Sequence, residues 1–272
     1  MSEPLLPLVT DPYELESNID ADEIVIVDLS RAPVYARNHI PGAAHLDYSK
    51  IIANRPPVMG LLPAEDELSQ VLSSIGISED SHVVAYDDEG GSKACRLLWT
   101  LDTVGHRHFS LLNGGLQAWI NENHPVSNQS EDISPSDYSV TYTNTSTCAD
   151  KKYILSHLDN ASVTLVDART PGEYAGTDKR AHRGGHIPGA IHLEWARAID
   201  QQRNLRLKSE SELLSLYAGK GITPDNEIIT YCQTHTRSAH SYIVLKYLGY
   251  PRVKGYPGSW SEWGNDPDTP VE

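Results

Sequence analysis

Short runs of apolar, β-branched residues recur along the chain and are followed each time by stretches in which apolar positions repeat every three or four residues. "VTLVD" (Val163–Asp167) and "EIITY" (Glu227–Tyr231) are continuous, apolar and too short for helices, so they predict parallel strands buried on both faces. "KSESELLSLYAGKG" predicts an amphipathic helix stopped by glycine, and "TRSAHSYIVLKYLG" predicts another. Strand and helix in alternation imply right-handed crossovers and a parallel sheet covered by helices. The segment "NENHPVSNQSEDISPSDYSVTYTNTSTCAD" breaks the pattern, being rich in Ser, Thr, Asn and Pro, and predicts an extended linker.

The pattern is written twice. "IVIVDLSRAPVYARNHIPGAAHLDY" (Ile24–Tyr48) recurs as "TLVDARTPGEYAGTDKRAHRGGHIPGAIHLEW" (Thr164–Trp195). "VVAYDDEGGSKACRLLW" likewise recurs as "IITYCQTHTRSAHSYIV". The second copy carries an insertion between Tyr174 and His186. A period this long indicates duplicated domains and not a solenoid. The expected division is residues 1–126, a linker over 127–147, and residues 148–272.

Composition changes this picture little: 39% hydrophobic and 22% charged residues are ordinary for a folded domain. The formal charge of −15 argues against nucleic acid or an anionic membrane as partner. No basic segment precedes an apolar core at the start, and no apolar run is long enough for a span. Cys95, Cys148 and Cys232 are an odd set without CxxC spacing, so neither a disulfide framework nor a thiolate zinc site is expected. A cytoplasmic protein with reduced thiols is the expectation, without metal.

Cys232 is the informative cysteine, because it ends an apolar strand where a helix-forming run begins. In the turn "CQTHTRS" several backbone N–H groups can converge, and the helix start adds positive potential. A thiol there should ionise below its reference value of about 8.5. Cysteine phosphatases use a comparable turn with C-x5-R spacing; here the spacing is C-x4-R, a smaller cradle suited to a single sulfur.

The doubled "HIPGA" after a V-D strand, a cysteine ending a later strand in the second copy only, and "GSWSEWG" near the C-terminus resemble the rhodanese family. More narrowly they resemble two-domain thiosulfate or mercaptopyruvate sulfurtransferases, and the cysteine loop is similar to that of Azotobacter-type bacterial rhodaneses. The resemblance implies two tandem α/β domains, each a parallel sheet flanked by helices. It implies that Cys232 is the catalytic residue and carries sulfur as a persulfide, with no cofactor. It implies a substrate site of Gln233, Thr234, His235, Thr236 and Arg237, with Trp195 beside it. From the insertion, Lys179, Arg180 and Arg183 are expected to attract an anionic donor, and Arg183 is placed in the substrate site. Animal relatives that prefer thiosulfate have an arginine just before the tyrosine corresponding to Tyr174; this chain has Glu173.

A small anionic sulfur donor and a thiol, cyanide or protein acceptor are therefore the expected partners of a monomer. A mercaptopyruvate sulfurtransferase and a non-catalytic binding or redox-sensing module stay open as alternatives. Asp87 stands where the first copy would need its cysteine, so that copy is expected to be silent and its "DDEGG" an acidic loop. Asp167 and Arg169 predict a structural ion pair. His39 and His186, present in both copies, predict hydrogen bonds within turns.

Overall fold

Two parallel sheets organise the chain in the computed structural model, which describes residues 4–272. The first has the strand order Val9–Thr10, His108–Leu112, His82–Tyr86, Ile24–Asp28, Ala44–His45. The second has the order Val253–Gly255, Glu227–Tyr231, Val163–Asp167, Ile191–His192. All neighbouring pairs in both sheets are parallel. The predicted strands Val163–Asp167 and Glu227–Tyr231 form as read, and the predicted helices occupy Glu210–Ala218 and Arg237–Tyr247. The central strand His82–Tyr86 is buried at every position, as expected where helices cover both faces of a parallel sheet.

The repeated motif builds the same device in each copy. The His39 ring stacks on Tyr35 with centroids 3.9 Å apart, and His186 stacks on Tyr174 at 3.7 Å. The first histidine's Nδ1 donates to the Tyr35 carbonyl at 2.7 Å, and the second's to the Tyr174 carbonyl at 3.0 Å. The Tyr35 hydroxyl donates to the Ala43 carbonyl and the Tyr174 hydroxyl to the Ala190 carbonyl, at 2.9 and 2.8 Å. The histidines thus hold turns, as read from their presence in both copies. Below them, Tyr86 and Tyr231 end central strands, and their hydroxyl oxygens accept the N–H groups of Ile40 and Ile187.

The chain divides into two compact units that do not follow the two sequence copies without exception. One unit comprises residues 1–51, 63–143 and 199–207; the other comprises 52–62, 144–198 and 208–272. The expected contiguous domains are therefore each interrupted by one excursion, and the segment read as a linker over 127–147 belongs to the first unit up to Thr143. In the second unit, the antiparallel hairpin of Ala53–Arg55 and Val58–Leu61 comes from the first copy. In the first unit, the ribbon of Ile199–Asp200 and Arg206–Leu207 comes from the second copy. There the Arg206 guanidinium pairs with Asp11 and, at 2.7 Å, with Glu122. Each unit has its own apolar core, one around Ile26, Val84, Tyr86 and Trp119, the other around Ile229, Tyr231, Trp260 and Trp263.

Candidate active site

The strand Glu227–Tyr231 ends one residue before Cys232, and the helix Arg237–Tyr247 begins five residues after it. The chain must therefore turn within a few residues, and it does so through His235, whose φ of 56° lies in the left-handed region. A non-glycine residue there costs about 1–2 kcal/mol. The buried His235 ring is held by a 2.7 Å hydrogen bond between its Nδ1 and the Ser238 hydroxyl. The matching position in the first copy is Gly90, also at positive φ. Both loops therefore need the same backbone bend, met by glycine in one and by a pinned histidine in the other.

The turn points its N–H groups inward at residue 232. The charge of Arg237 and the polar groups of Ser238 and Thr234 act on the Cys232 thiol and favour its ionised form. Burial alone would raise the thiol. Arg237, Ser238 and Thr234 outweigh it, so Cys232 ionises below the ordinary thiol value.

The first copy supplies an internal control for this geometry. The Asp87 carboxylate, fully buried, accepts four backbone N–H groups: Glu89 at 2.9 Å and Gly91 at 2.8 Å on Oδ1, Lys93 at 2.9 Å and Ala94 at 3.1 Å on Oδ2. Glu89 and Lys93 stand two and six residues after Asp87, as Thr234 and Ser238 stand after Cys232. The same two loop positions thus donate to a carboxyl group in one unit and lower the thiol of Cys232 in the other. The Asp87 loop is a cradle filled by its own side chain. It is more than the solvated acidic loop the sequence suggested.

Several residues that the sequence did not single out shape the active loop. Ser259 has a φ of 50°, and its hydroxyl accepts the Cys232 N–H at 3.3 Å while donating to the Tyr256 carbonyl at 2.7 Å. Trp260 N–H donates to the Cys232 carbonyl and Ser261 N–H to the Gln233 carbonyl, both at 3.0 Å. Gly60, on the hairpin, lies so close that a Cβ there would meet the Thr234 carbonyl oxygen at 2.3 Å. Met59 exchanges backbone hydrogen bonds with the Ser261 hydroxyl at 3.0 and 3.1 Å. The repeat alignment could have shown Ser259, since Gly115 occupies the corresponding place below Asp87, also at positive φ.

The remaining expected residues divide. Gln233 donates through Nε2 to the Arg180 carbonyl at 3.0 Å and so fastens the insertion to the loop. Thr234 and Thr236 approach each other through their hydroxyls at 3.5 Å. Trp195 is half-buried, with its ring edge-on to His240 and centroids 5.2 Å apart. Arg183 departs from its expected place. Its guanidinium donates to the carbonyls of Trp263 at 2.8 Å and Thr269 at 2.6 Å, and to the Asp266 carbonyl and Thr269 hydroxyl. With these donors committed to backbone acceptors, Arg183 is a strut for the C-terminal segment. Lys179 and Arg180 are exposed. Asp167 and Arg169 form the buried ion pair the sequence predicts, with the Arg169 guanidinium 4.4 Å from the centroid of the Trp260 ring beneath the loop.

Among the described residues no group of three or more His, Cys, Asp or Glu side chains could hold a metal ion, and the cysteines are not joined in a disulfide. No described helix is long and apolar enough to cross a membrane.

Comparison with known proteins places this geometry in context. The family profile of the rhodanese-like domain matches residues 11–122 and again 150–266. The chain is 45% identical to a thiosulfate sulfurtransferase of Pseudomonas aeruginosa over 98% of its length and 97% of the relative's. It is 43% identical to the thiosulfate sulfurtransferase of Azotobacter vinelandii, with the same coverage of both chains. A sulfur carrier protein, TtuD, of Thermus thermophilus is 38% identical over 88% of this chain and 86% of the relative. Among solved structures, an anaerobic ergothioneine biosynthesis enzyme from Chlorobium limicola superposes with a TM-score of 0.87 at 23% identity, covering 97% of this chain and 70% of that one. That likeness concerns the fold.

Proposed function

Because the chain belongs to the rhodanese family, we propose that it is a thiosulfate sulfurtransferase working through a persulfide on Cys232. The observation that carries this reading is the strand-end loop that places Cys232 where Arg237, Ser238 and Thr234 favour its thiolate, and whose counterpart in the other unit gathers four N–H groups on the carboxyl oxygens of Asp87.

The Cys232 thiolate attacks the outer sulfur of thiosulfate; a sulfur–sulfur bond forms, the bond to the sulfonate sulfur breaks, and sulfite leaves with the electron pair. The terminal sulfur of the persulfide is anionic and takes the place of the thiolate among the donors of the loop. Cyanide or a thiolate then attacks that terminal sulfur and releases the Cys232 thiolate. No proton must be delivered to sulfite, so the site needs donors of hydrogen bonds and positive charge more than a general acid. The exposed Lys179, on the insertion fastened by Gln233, supplies charge for an anionic donor in a chain that is otherwise acidic.

A thiol or protein acceptor, a monomeric state and a cytoplasmic location complete the proposal. The deciding experiment is intact mass of the protein before and after thiosulfate, and again after cyanide. A gain of one sulfur that cyanide removes and that Cys232→Ser lacks is the expected result. Loading by 3-mercaptopyruvate alone would replace the donor, and no loading by either would overturn the assignment.

A further inference from the structure

Glu173 is the least expected charge near the loop, a carboxylate with a fully buried side chain. Its two oxygens are gripped by the two terminal nitrogens of Arg237, Oε2 at 2.6 Å and Oε1 at 2.9 Å. The Thr170 hydroxyl and N–H, at 3.0 and 3.2 Å, fix it from the other side in a reciprocal cap of the short helix Pro171–Tyr174. The carboxylate therefore sits in the turn after the strand Val163–Asp167, and the guanidinium it holds is the cation that acts on the Cys232 thiol.

We propose that Glu173 is a positioning residue of the active site: its carboxylate locks the Arg237 guanidinium against the Cys232 sulfur and so sets the ionisation of the nucleophile. This deepens the sulfurtransferase reading and rests on Cys232 being the nucleophile. Arg237 is one-fifth exposed and has a long flexible stem; without a fixed partner its head would move to water. A planar fork against a carboxylate fixes both distance and plane, which a single charge cannot do. The other charged groups around the pair are Arg180, 3.5 Å from Glu173 Oε1 and more than half exposed, and Arg169, paired with Asp167. His235 and Ser238 complete the loop around the sulfur. Arg180 cannot replace Arg237, since its guanidinium is already divided between Glu173 and Asp178.

The test is the rate of Cys232 alkylation by iodoacetamide as a function of pH, which needs no sulfur donor and so is independent of whether the protein proves to be a sulfurtransferase. In Glu173→Gln the midpoint should move up, because losing the fixed guanidinium raises the thiol by more than losing the carboxylate's own repulsion of the thiolate lowers it; a lowered midpoint would overturn the proposal. Arg237→Ala should move it up at least as far, and the double variant no further than Arg237→Ala alone, because Glu173 acts through Arg237. Arg237→Lys keeps the charge but lacks the fork, so it should also move the midpoint up, and it tests the proposal even where Glu173→Gln fails to fold. A wild-type midpoint in Glu173→Gln or in Arg237→Lys, or additive shifts in the double variant, would overturn it.

Discussion

Replacing Gly60 by alanine should disable a cysteine that lies 172 positions away in sequence. The added Cβ would stand 2.3 Å from the Thr234 carbonyl oxygen, 2.8 Å from the Thr234 Cβ and 3.0 Å from its carbonyl carbon. Two of these are backbone atoms and cannot rotate away. Gly60 also has a φ of 76°, where alanine costs about 1–2 kcal/mol before any contact is counted. Overpacking adds about 1–3 kcal/mol, so the variant should lose about 2–5 kcal/mol in all. At roughly 2–4 °C per kcal/mol for a unit of this size, the melting temperature should fall by several degrees while the protein stays folded. The effect on chemistry follows from the peptide that must yield. The clash falls on the Thr234 Cβ as well as on its carbonyl, so the whole residue must move, and its N–H, which helps to lower the Cys232 thiol, moves with it. Removing one such donor from an anion-stabilising site costs about 100-fold or more in rate. Because the loop can relax in part, we expect a 10- to 100-fold slower loading of sulfur, measured as sulfite release in a single turnover at a temperature well below the melt. A wild-type loading rate in a folded Gly60→Ala protein would refute the claim that this hairpin shapes the loop.

The acid stability of the protein should depend on Glu173. Burial would raise its carboxyl, but Arg237 and Thr170 bring it down to about 2 from an ordinary 4.5. Its stabilising contribution is therefore complete above pH 4.5 and lost as pH falls towards 2, about 3 kcal/mol in total; urea titrations between pH 6 and 2 should show a shallower loss for Glu173→Gln, and an unchanged slope would count against the pairing. Arg183→Ala should lower the melting temperature yet leave the KM for thiosulfate unchanged, because its guanidinium serves backbone acceptors; a raised KM at full stability would return it to the donor site. Asp87→Ala strips the acceptor from four buried N–H groups and should destabilise the protein by about 3–5 kcal/mol, seen in chemical denaturation. Sulfur loading in that variant should stay confined to Cys232.

The sequence made the sheets, the duplication and the cysteine loop legible because each depends on local patterning. "EIITY" followed by a polar turn and a helical repeat needs only neighbouring residues to be read. Position 232 could be singled out for the same reason. What escaped was set by contacts between residues far apart in the chain. Gly60 gives no sign in "PPVMGLLP" that its missing Cβ makes room for Thr234. Glu173 looked like the loss of a cation, and its grip on Arg237 appears only when the helix Pro171–Tyr174 is placed beside the loop. Arg183 was misplaced by the opposite error, since charge in an insertion says nothing of which way a guanidinium turns. The role of Asp87 needed the two loops to be compared donor by donor.

The exchange of segments between the copies makes the duplication indivisible. A fragment cut at the repeat boundary would carry Cys232, its turn and its helix, yet leave behind the hairpin of residues 52–62 on which Thr234 rests. The half that carries Asp87 in place of a cysteine thus cannot be discarded, because it lends the hairpin to the unit that holds Cys232. A lineage that inherited such a pair would have lost the spare copy that duplication first offered, and would have to keep both halves to use one cysteine.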